Sequence, residues 1–424
     1  MLPVSEAETQ ILNLTQPLDA DRDVEWLPLS AAAGRILARP ISSSLDFPHW
    51  DNSSMDGYAV RQADVATSNP DAPIALTVIE EIPAGYRPQQ TLQPGQAARI
   101  LTGAMMPLGA DAVVMQEETR REGDRVYIFS APTLHQFVRR RGEFYRGGDR
   151  LLPAGIRLGA AEIAVLAAAQ CVNIPVYRRL RVAILSTGDE LVSPEQPLQP
   201  GQIVDSNQYA LAALVAEAGA EPLMLGIVPD QPDALQAAIA QAVSSADVVL
   251  SSGGVSVGDY DYVDRLLESL GATIHIRAIA IKPGKPLTFA TFNAAPAAQA
   301  QSPTAYFGLP GNPVSALVTF WRFVLPALRK QSGLSAGWGP AWLWGRSPHD
   351  LKADGKRETY LWGTLRVTED GYEFSQSPGS FSSGNLINLA QTNALAQVPL
   401  GQTQIIAGTP IRVMQMDPRA IALP

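Results

Sequence analysis

The stretch from about residue 179 to 330 limits the possible folds of this chain more than any other feature. Short apolar runs alternate there with helix-type segments. Arg181–Leu185, Leu223–Val228, Val248–Leu250, Ile274–Ile281, Leu287–Thr291 and Ala305–Gly308 predict strands. Gln208–Ala218, Pro232–Ser244, Tyr262–Leu270 and Pro313–Arg329 predict helices, with Pro232 suited to a first helical turn. Strand and helix in turn argue for a mostly parallel sheet with helices on both faces. In such sheets ligands bind beyond the C-terminal ends of the strands.

The loops at those strand ends carry the unusual chemistry. Ser186-Thr187-Gly188-Asp189-Glu190 follows the first strand, and the Ser/Gly-rich loop from Ser251 to Asp259 follows the third. Lys282-Pro283-Gly284-Lys285-Pro286 follows the fourth, and Leu309-Pro310-Gly311-Asn312-Pro313 follows the sixth. Ser251, Gly253, Gly254 and Ser256 can turn N–H groups and hydroxyls toward an anion, because glycine admits close backbone approach. The loop is neither a Walker A sequence nor a dinucleotide fingerprint. Lys282 and Lys285 sit between prolines, where two ammonium groups can neutralise an oxyanion or simply form a solvated turn. Asp230 and Asp261 suit a magnesium ion beside phosphates, or the capping of a helix. Asp205 and Asn207 suit a cap, a ligand contact, or both. Glu190 is either an acid near the ligand or a first-turn helix acid.

The flanks have other patterns. Ser5 and Glu8 are spaced as a capping box before an apolar helix face at Ile11, Leu12 and Leu14. Ser30 predicts a second helix through Ile36 and Leu37, and residues 151–171 predict a third. Between them, Ile74–Ile79, Ala97–Leu101, Ala112–Met115 and Arg125–Phe129 read as strands of a small β-rich lobe. Glu122-Gly123-Asp124 reads as a hairpin turn joining the last two. This lobe contains two polar loops, Asp51–Val60 with Asp56, and Ile100–Ala104 with Thr102. Beyond residue 330, Thr359–Val367 and Tyr372–Ser375 flank Asp370-Gly371, a strong hairpin signal that predicts a small barrel or sandwich. The domains are therefore read as 1–45 with 140–178, 46–139, 179–328 and 329–424. The fold class is multidomain α/β and β.

Composition removes several function classes. A single cysteine, Cys171, excludes an internal disulfide and a cysteine-built zinc or iron–sulfur site. The four histidines are scattered and read as structural. A formal charge of −9 argues against general nucleic-acid binding. No run reaches the roughly 18 apolar residues of a membrane span, and Met1 to Gln16 has no leader pattern. A cytoplasmic protein is expected.

Taken in order, Asn52–Arg61, Thr102-Gly103, Ser186–Leu191, Asp205–Asn207, Ser251–Asp261, Lys282–Pro286 and Leu309–Ser315 resemble the molybdopterin molybdenumtransferase family, that is, the MoeA proteins and the E domain of gephyrin. The resemblance runs over nearly the whole chain. It implies an elongated dimer of four-domain subunits with a cleft between them. It also implies an enzyme that inserts molybdate into adenylylated molybdopterin, releases AMP and uses magnesium. By position it implies Asp56, Thr102, Glu190, Asp230, Asp261 and Lys282 as catalytic residues, with Glu190, Asp230 and Asp261 at the cation. Pro310 and Pro313 would shape the molybdate loop, Ser382 or Ser383 would be the C-terminal contribution, and Arg277 the basic residue ahead of the lysine loop. The family often carries an acid shortly after Arg-Arg-x-Gly; here Gly142-Glu143 is followed by Phe144, so either Glu143 substitutes, shifted by one residue, or the carboxylate is absent. Handover from an adenylyltransferase and to molybdoenzymes is implied as well. Adenylylation of molybdopterin, or a gephyrin-like scaffold role, are the alternatives.

Overall fold

Burial of the central strands on both faces explains the architecture around them. The structure, a computed structural model, describes residues 1–253, 260–293 and 303–416, with the side chains of 260–262 set aside. The chain forms two units, one of residues 1–39, 154–160 and 173–424, the other of residues 40–153 and 161–172.

The larger unit begins with helix α1 (Val4–Leu14) and strand β1 (Val24–Pro28), which pairs antiparallel with β2 (Asn173–Tyr177). The predicted alternation then follows: β3 (Arg181–Thr187), α2 (Asn207–Glu217), β4 (Glu221–Val228), α3 (Pro232–Ser245), β5 (Val248–Ser252), α4 (Tyr260–Ser269), β6 (Ala272–Ala278), β7 (Pro286–Phe292), β8 (Thr304–Leu309) and α5 (Pro313–Thr319). A π-helical turn, Phe320–Val324, leads into α6 (Leu325–Gln331). The sheet order is β4-β3-β5-β8-β7-β6. The first four strands are parallel, and β7 runs antiparallel to both of its neighbours.

Side chains on a strand alternate between faces. Val182, Ile184, Val248, Leu250 and Phe307 therefore share one core with α1, α2, α5 and α6. Ala183, Leu185, Val249 and Tyr306 share the opposite core with α3 and α4. The expected helices on both faces are thus present. Thr288 lies opposite Gly308 and Ala278 opposite Pro286, so the lysine loop emerges at the same edge as the ends of β3, β5 and β8.

The C-terminal region is a barrel. Strands β9 (Ala341–Arg346), β10 (Glu358–Thr368), β11 (Gly371–Gln376), β12 (Ala394–Val398) and β13 (Pro410–Gln415) close through β10-β11-β9-β13-β12 and back to β10. The Asp370-Gly371 turn joins β10 to β11 as expected, with Thr368 opposite Gly371.

The smaller unit holds a six-stranded sheet ordered Ala112–Met115, Gly57–Val60, Gln96–Ile100, Ile74–Ile82, Arg125–Ile128 and Thr119–Glu122. The turn at Gly123 joins Thr119–Glu122 to Arg125–Ile128 rather than to Ala112–Met115, which is followed by a 3₁₀ turn. One helix expectation fails and another is borne out only in a shorter form, for a shared reason. Gly34 and Gly155 adopt positive φ (78° and 77°), which interrupts helical backbone. Only Leu29–Ala31 is a 3₁₀ turn in the first segment, and only Ala160–Ala168 is helical in the second.

Candidate functional site

The C-terminal edge of the sheet is where its apolar pattern turns polar. On one face Val182 and Ile184 are followed by Ser186, and Val248 and Leu250 by Ser252. These hydroxyls open onto a pocket of about 860 Å³, together with Thr187, Gly188, Glu190, Asp205, Asn207, Asp230, Gly253, Pro310 and Pro313. Seven of the residues singled out in the sequence are thus brought together. The pocket is also lined by Leu191, Ile203 and Val204 on one side and by Gly384 and Leu386 from the C-terminal region.

Local geometry explains several of these placements. Gly253 has φ +94°, and a Cβ there would lie 2.2 Å from the Thr187 carbonyl oxygen. A Cβ on Gly188 would lie 2.6 Å from a Glu190 carboxylate oxygen, so glycine leaves room for that carboxylate over its own loop. The N-cap of α3 is Gln231, so Asp230 does not hold the cap position. The Asp230 N–H donates to Asp189 Oδ1 (3.1 Å). Asp205 is buried and accepts from Gln208 N–H (3.2 Å) and Gln208 Nε2 (3.1 Å) at the start of α2. Asn207 Nδ2 donates to Ser252 Oγ (2.7 Å) and to the Gly311 carbonyl (2.8 Å).

Other expected residues lie away from this pocket. Ser251 is one residue out of phase with Ser252, and its hydroxyl meets Tyr306 Oη (2.6 Å) in the α3/α4 core. Burial pushes the Tyr306 phenol up to about 12. Lys282 donates to Asp354 Oδ2 (2.9 Å), an interaction that holds the Asp354 carboxyl below its ordinary value. Lys285 does not line the pocket. Arg277 bonds Asp264 (2.6 Å) and Glu268 (3.1 Å) on α4. The Ser383 carbonyl accepts from Val314 N–H (3.1 Å) at the start of α5, and Ser382 Oγ accepts from Gly384 N–H (3.5 Å). Gly254, Ser256 and the side chain of Asp261 lie outside the described residues.

Within the smaller unit, the Gly57–Ile100 pairing brings the Asp56 and Thr102 loops side by side. Thr102 N–H and Oγ–H both donate to Asp56 Oδ1 (2.7 and 2.8 Å). The amide bond first, then the hydroxyl, holds the Asp56 carboxyl below the ordinary carboxylate value. Glu143 accepts from the Arg140 N–H (2.9 Å), while Phe144 is exposed.

Among the described residues no group of three or more His, Cys, Asp or Glu forms a metal site. Glu190 and Asp230 nevertheless fit magnesium, which commonly takes one or two carboxylates and completes its shell with water and substrate phosphate. Ser186, Thr187, Asn312, Gly384 and Leu386 were not singled out as site residues. The first three lie inside loops that the sequence marks, whereas Gly384 and Leu386 have no local motif.

Comparison with known proteins gives a consistent result. Three family models match in series: the MoeA N-terminal region (domains I and II) at residues 2–169, a "probable molybdopterin binding domain" at 183–330, and the MoeA C-terminal region (domain IV) at 345–416. A molybdopterin molybdenumtransferase of Nostoc is 59% identical over 98% of this chain and 94% of its own length. One from Haemophilus influenzae is 36% identical over 97% and 98%. The crystal structure of a molybdopterin biosynthesis MoeA protein from Pyrococcus horikoshii superposes with a TM-score of 0.79 at 30% identity, covering 98% of this chain and 99% of that one.

Proposed function

The chain belongs to the molybdopterin molybdenumtransferase (MoeA) family, and from that premise we propose that it inserts molybdenum from molybdate into adenylylated molybdopterin, releasing AMP. The observation that carries this reading is the pocket at the strand ends. All of its lining except Gly384 and Leu386 falls in the segment matching the molybdopterin-binding model, including the carboxylates of Glu190 and Asp230.

Each residue then has a task that its setting allows. Gly188 and Gly253 keep the loops close enough for the substrate to reach the strand ends. Glu190 and Asp230, with Asp261, would hold magnesium, which supplies charge neutralisation at the phosphoanhydride. Lys282 stands at the same sheet edge and can exchange its bond to Asp354 for an oxyanion, because both side chains are partly exposed. Asp56 stays ionised at neutral pH and is held in one orientation by Thr102. Pro310 and Pro313 stiffen the loop entering α5. A homodimer, receipt of substrate from an adenylyltransferase, delivery to molybdoenzymes and a cytoplasmic setting belong to the same reading. No helix among the described residues is long and apolar enough to cross a membrane.

The test uses the purified chain, adenylylated molybdopterin and magnesium, with and without molybdate, followed by AMP release. Molybdate-stimulated release is expected. Tight binding without release would replace the enzyme with a carrier, and ATP consumption with free molybdopterin would replace it with an adenylyltransferase. Asp261→Asn, which keeps the size of the side chain and removes its charge, is expected to abolish release while the melting temperature holds. Normal turnover in that variant would remove Asp261 from the chemistry.

A further inference from the structure

Asn207 has a hydrogen-bonding polarity that its neighbours fix. Its two Nδ2 protons go to Ser252 Oγ and to the Gly311 carbonyl. A carbonyl can only accept, so turning the amide over would set two acceptors against each other. Oδ1 is therefore an acceptor. It is buried and has no partner among the described residues, in a residue that is 8% exposed and lines the pocket. A buried acceptor left unpaired is a costly arrangement that a ligand donor relieves.

The surroundings narrow the ligand further. No lysine, arginine or histidine lines the pocket among the described residues, whereas Asp205, Glu190 and Asp230 do. A phosphate seated against Asn207 would face acceptors and carboxylates with no protein cation at hand. A flat ring carrying N–H donors on its edge suits the same wall. Ile203 and Val204, both well exposed, offer apolar surface on the pocket's side for its face. The buried hydroxyls of Ser186 and Thr187, also without partners among the described residues, can either donate or accept, and so serve the ring's remaining polar atoms.

We propose that Asn207 is a specificity-determining residue that reads the amino-pyrimidinone edge of the pterin, its Oδ1 accepting an N–H from the exocyclic amine. This deepens the preceding reading and rests on it for the identity of the substrate. It assigns the ends of the ligand: the heterocycle sits at α2, and the phosphate end is directed away from Asp205 and Asn207.

The test compares two ligands on the unaltered full chain, pterin-6-carboxylate and lumazine-6-carboxylate, by quenching of ligand fluorescence. Lumazine carries an oxygen where pterin carries the amine, so it would oppose Oδ1 with a second acceptor. Sites built around a hydrogen bond reject analogues that lack it, in strong cases by roughly 10⁴-fold. Binding of pterin at least about tenfold tighter than lumazine is expected, and Asn207→Leu is expected to bring the two within about twofold. Equal affinities in the unaltered protein would overturn the proposal, as would no binding of pterin by a protein that still releases AMP with molybdate. A pterin preference in a protein without molybdate-stimulated release would instead sustain the proposal and overturn the enzymatic reading.

Discussion

Two residues show how single side chains, or their absence, set the chemistry. Asp56 accepts both donors of Thr102 on one oxygen, and its folded pKa is depressed. A depressed carboxylate keeps its charge above its ordinary pKa and loses it only as the pH falls through the lower folded value. Thr102→Val removes the hydroxyl and leaves the amide, so the Asp56 pKa should climb back toward the ordinary range. The acid limb of the pH–activity profile should then move to higher pH, with little change on the alkaline side. An unmoved acid limb would show that Asp56 does not set it. Gly253 works by having no side chain. In Gly253→Ala the new Cβ meets a backbone oxygen of Thr187, which no rotamer change can relieve, and φ stays in a region unfavourable for alanine. A loss of roughly 1–3 kcal/mol of stability is expected, together with loss of ligand binding. Unchanged binding would mean that the loop is not part of the site.

At the scale of elements, strand phase decides which of two adjacent serines serves the pocket. Ser252 shares a face with Val248 and Leu250 and bonds Asn207; Ser251 faces the other core and bonds Tyr306. Ser252→Ala should weaken pterin binding with a small change in melting temperature. Ser251→Ala leaves a buried phenol without its partner, so it should lower stability by about 1–3 kcal/mol while pterin affinity holds. The reverse assignment in calorimetry and fluorescence titration would mean that the register is shifted by one residue. The strands themselves were legible because each is an apolar run ending at Gly, Ser or Pro. The serine phase was not, since either serine satisfies a motif and only the packing of both faces separates them. Apolar spacing continues through Gly34 and Gly155, whose positive φ turns the backbone out of a helix, so the pattern alone extends both helices too far. The lysines suggest that anions bind at the sheet edge, yet among the described residues no lysine lines the pocket, and its most constrained polar atom is an acceptor. That assignment depends on a proton count at Asn207, which needs Gly311, more than a hundred residues away. Leu386 and Gly384 were invisible for the same reason, since they contribute through position rather than through a motif.

Across the larger unit as a whole, stability rests on contacts between segments far apart in sequence. Arg322 lies in the π-helical turn and is almost fully buried. Its guanidinium bonds Glu8 of α1 (2.7 and 2.8 Å) and Tyr360 of the barrel strand β10 (3.0 Å). Burial alone would lower the Arg322 pKa, but the Glu8 carboxylate and the Tyr360 oxygen outweigh it, so the charge is retained. One cation therefore ties the N-terminal helix, the last helix of the α/β layer and the barrel. Ser5 and Glu8 suggested a capping box, but Pro3 occupies the N-cap without a side-chain bond, and Glu8 is committed to Arg322 instead. Removing one partner of a buried pair strands the other, at roughly 3–5 kcal/mol. Because Glu8 is a quarter exposed, water can reach the vacated position, which places Glu8→Ala toward the lower end of that range. The urea midpoint should fall accordingly, and the amides of α1 should lose hydrogen-exchange protection before those of β3 and β5. Glu8→Gln keeps an acceptor for one guanidinium N–H and should lose less. Equal losses in the two variants would show that packing of α1, not the charge on Glu8, holds the helix in place. An unchanged midpoint in both would remove Glu8 from the tie altogether, leaving Tyr360 as the partner that keeps Arg322 in the core.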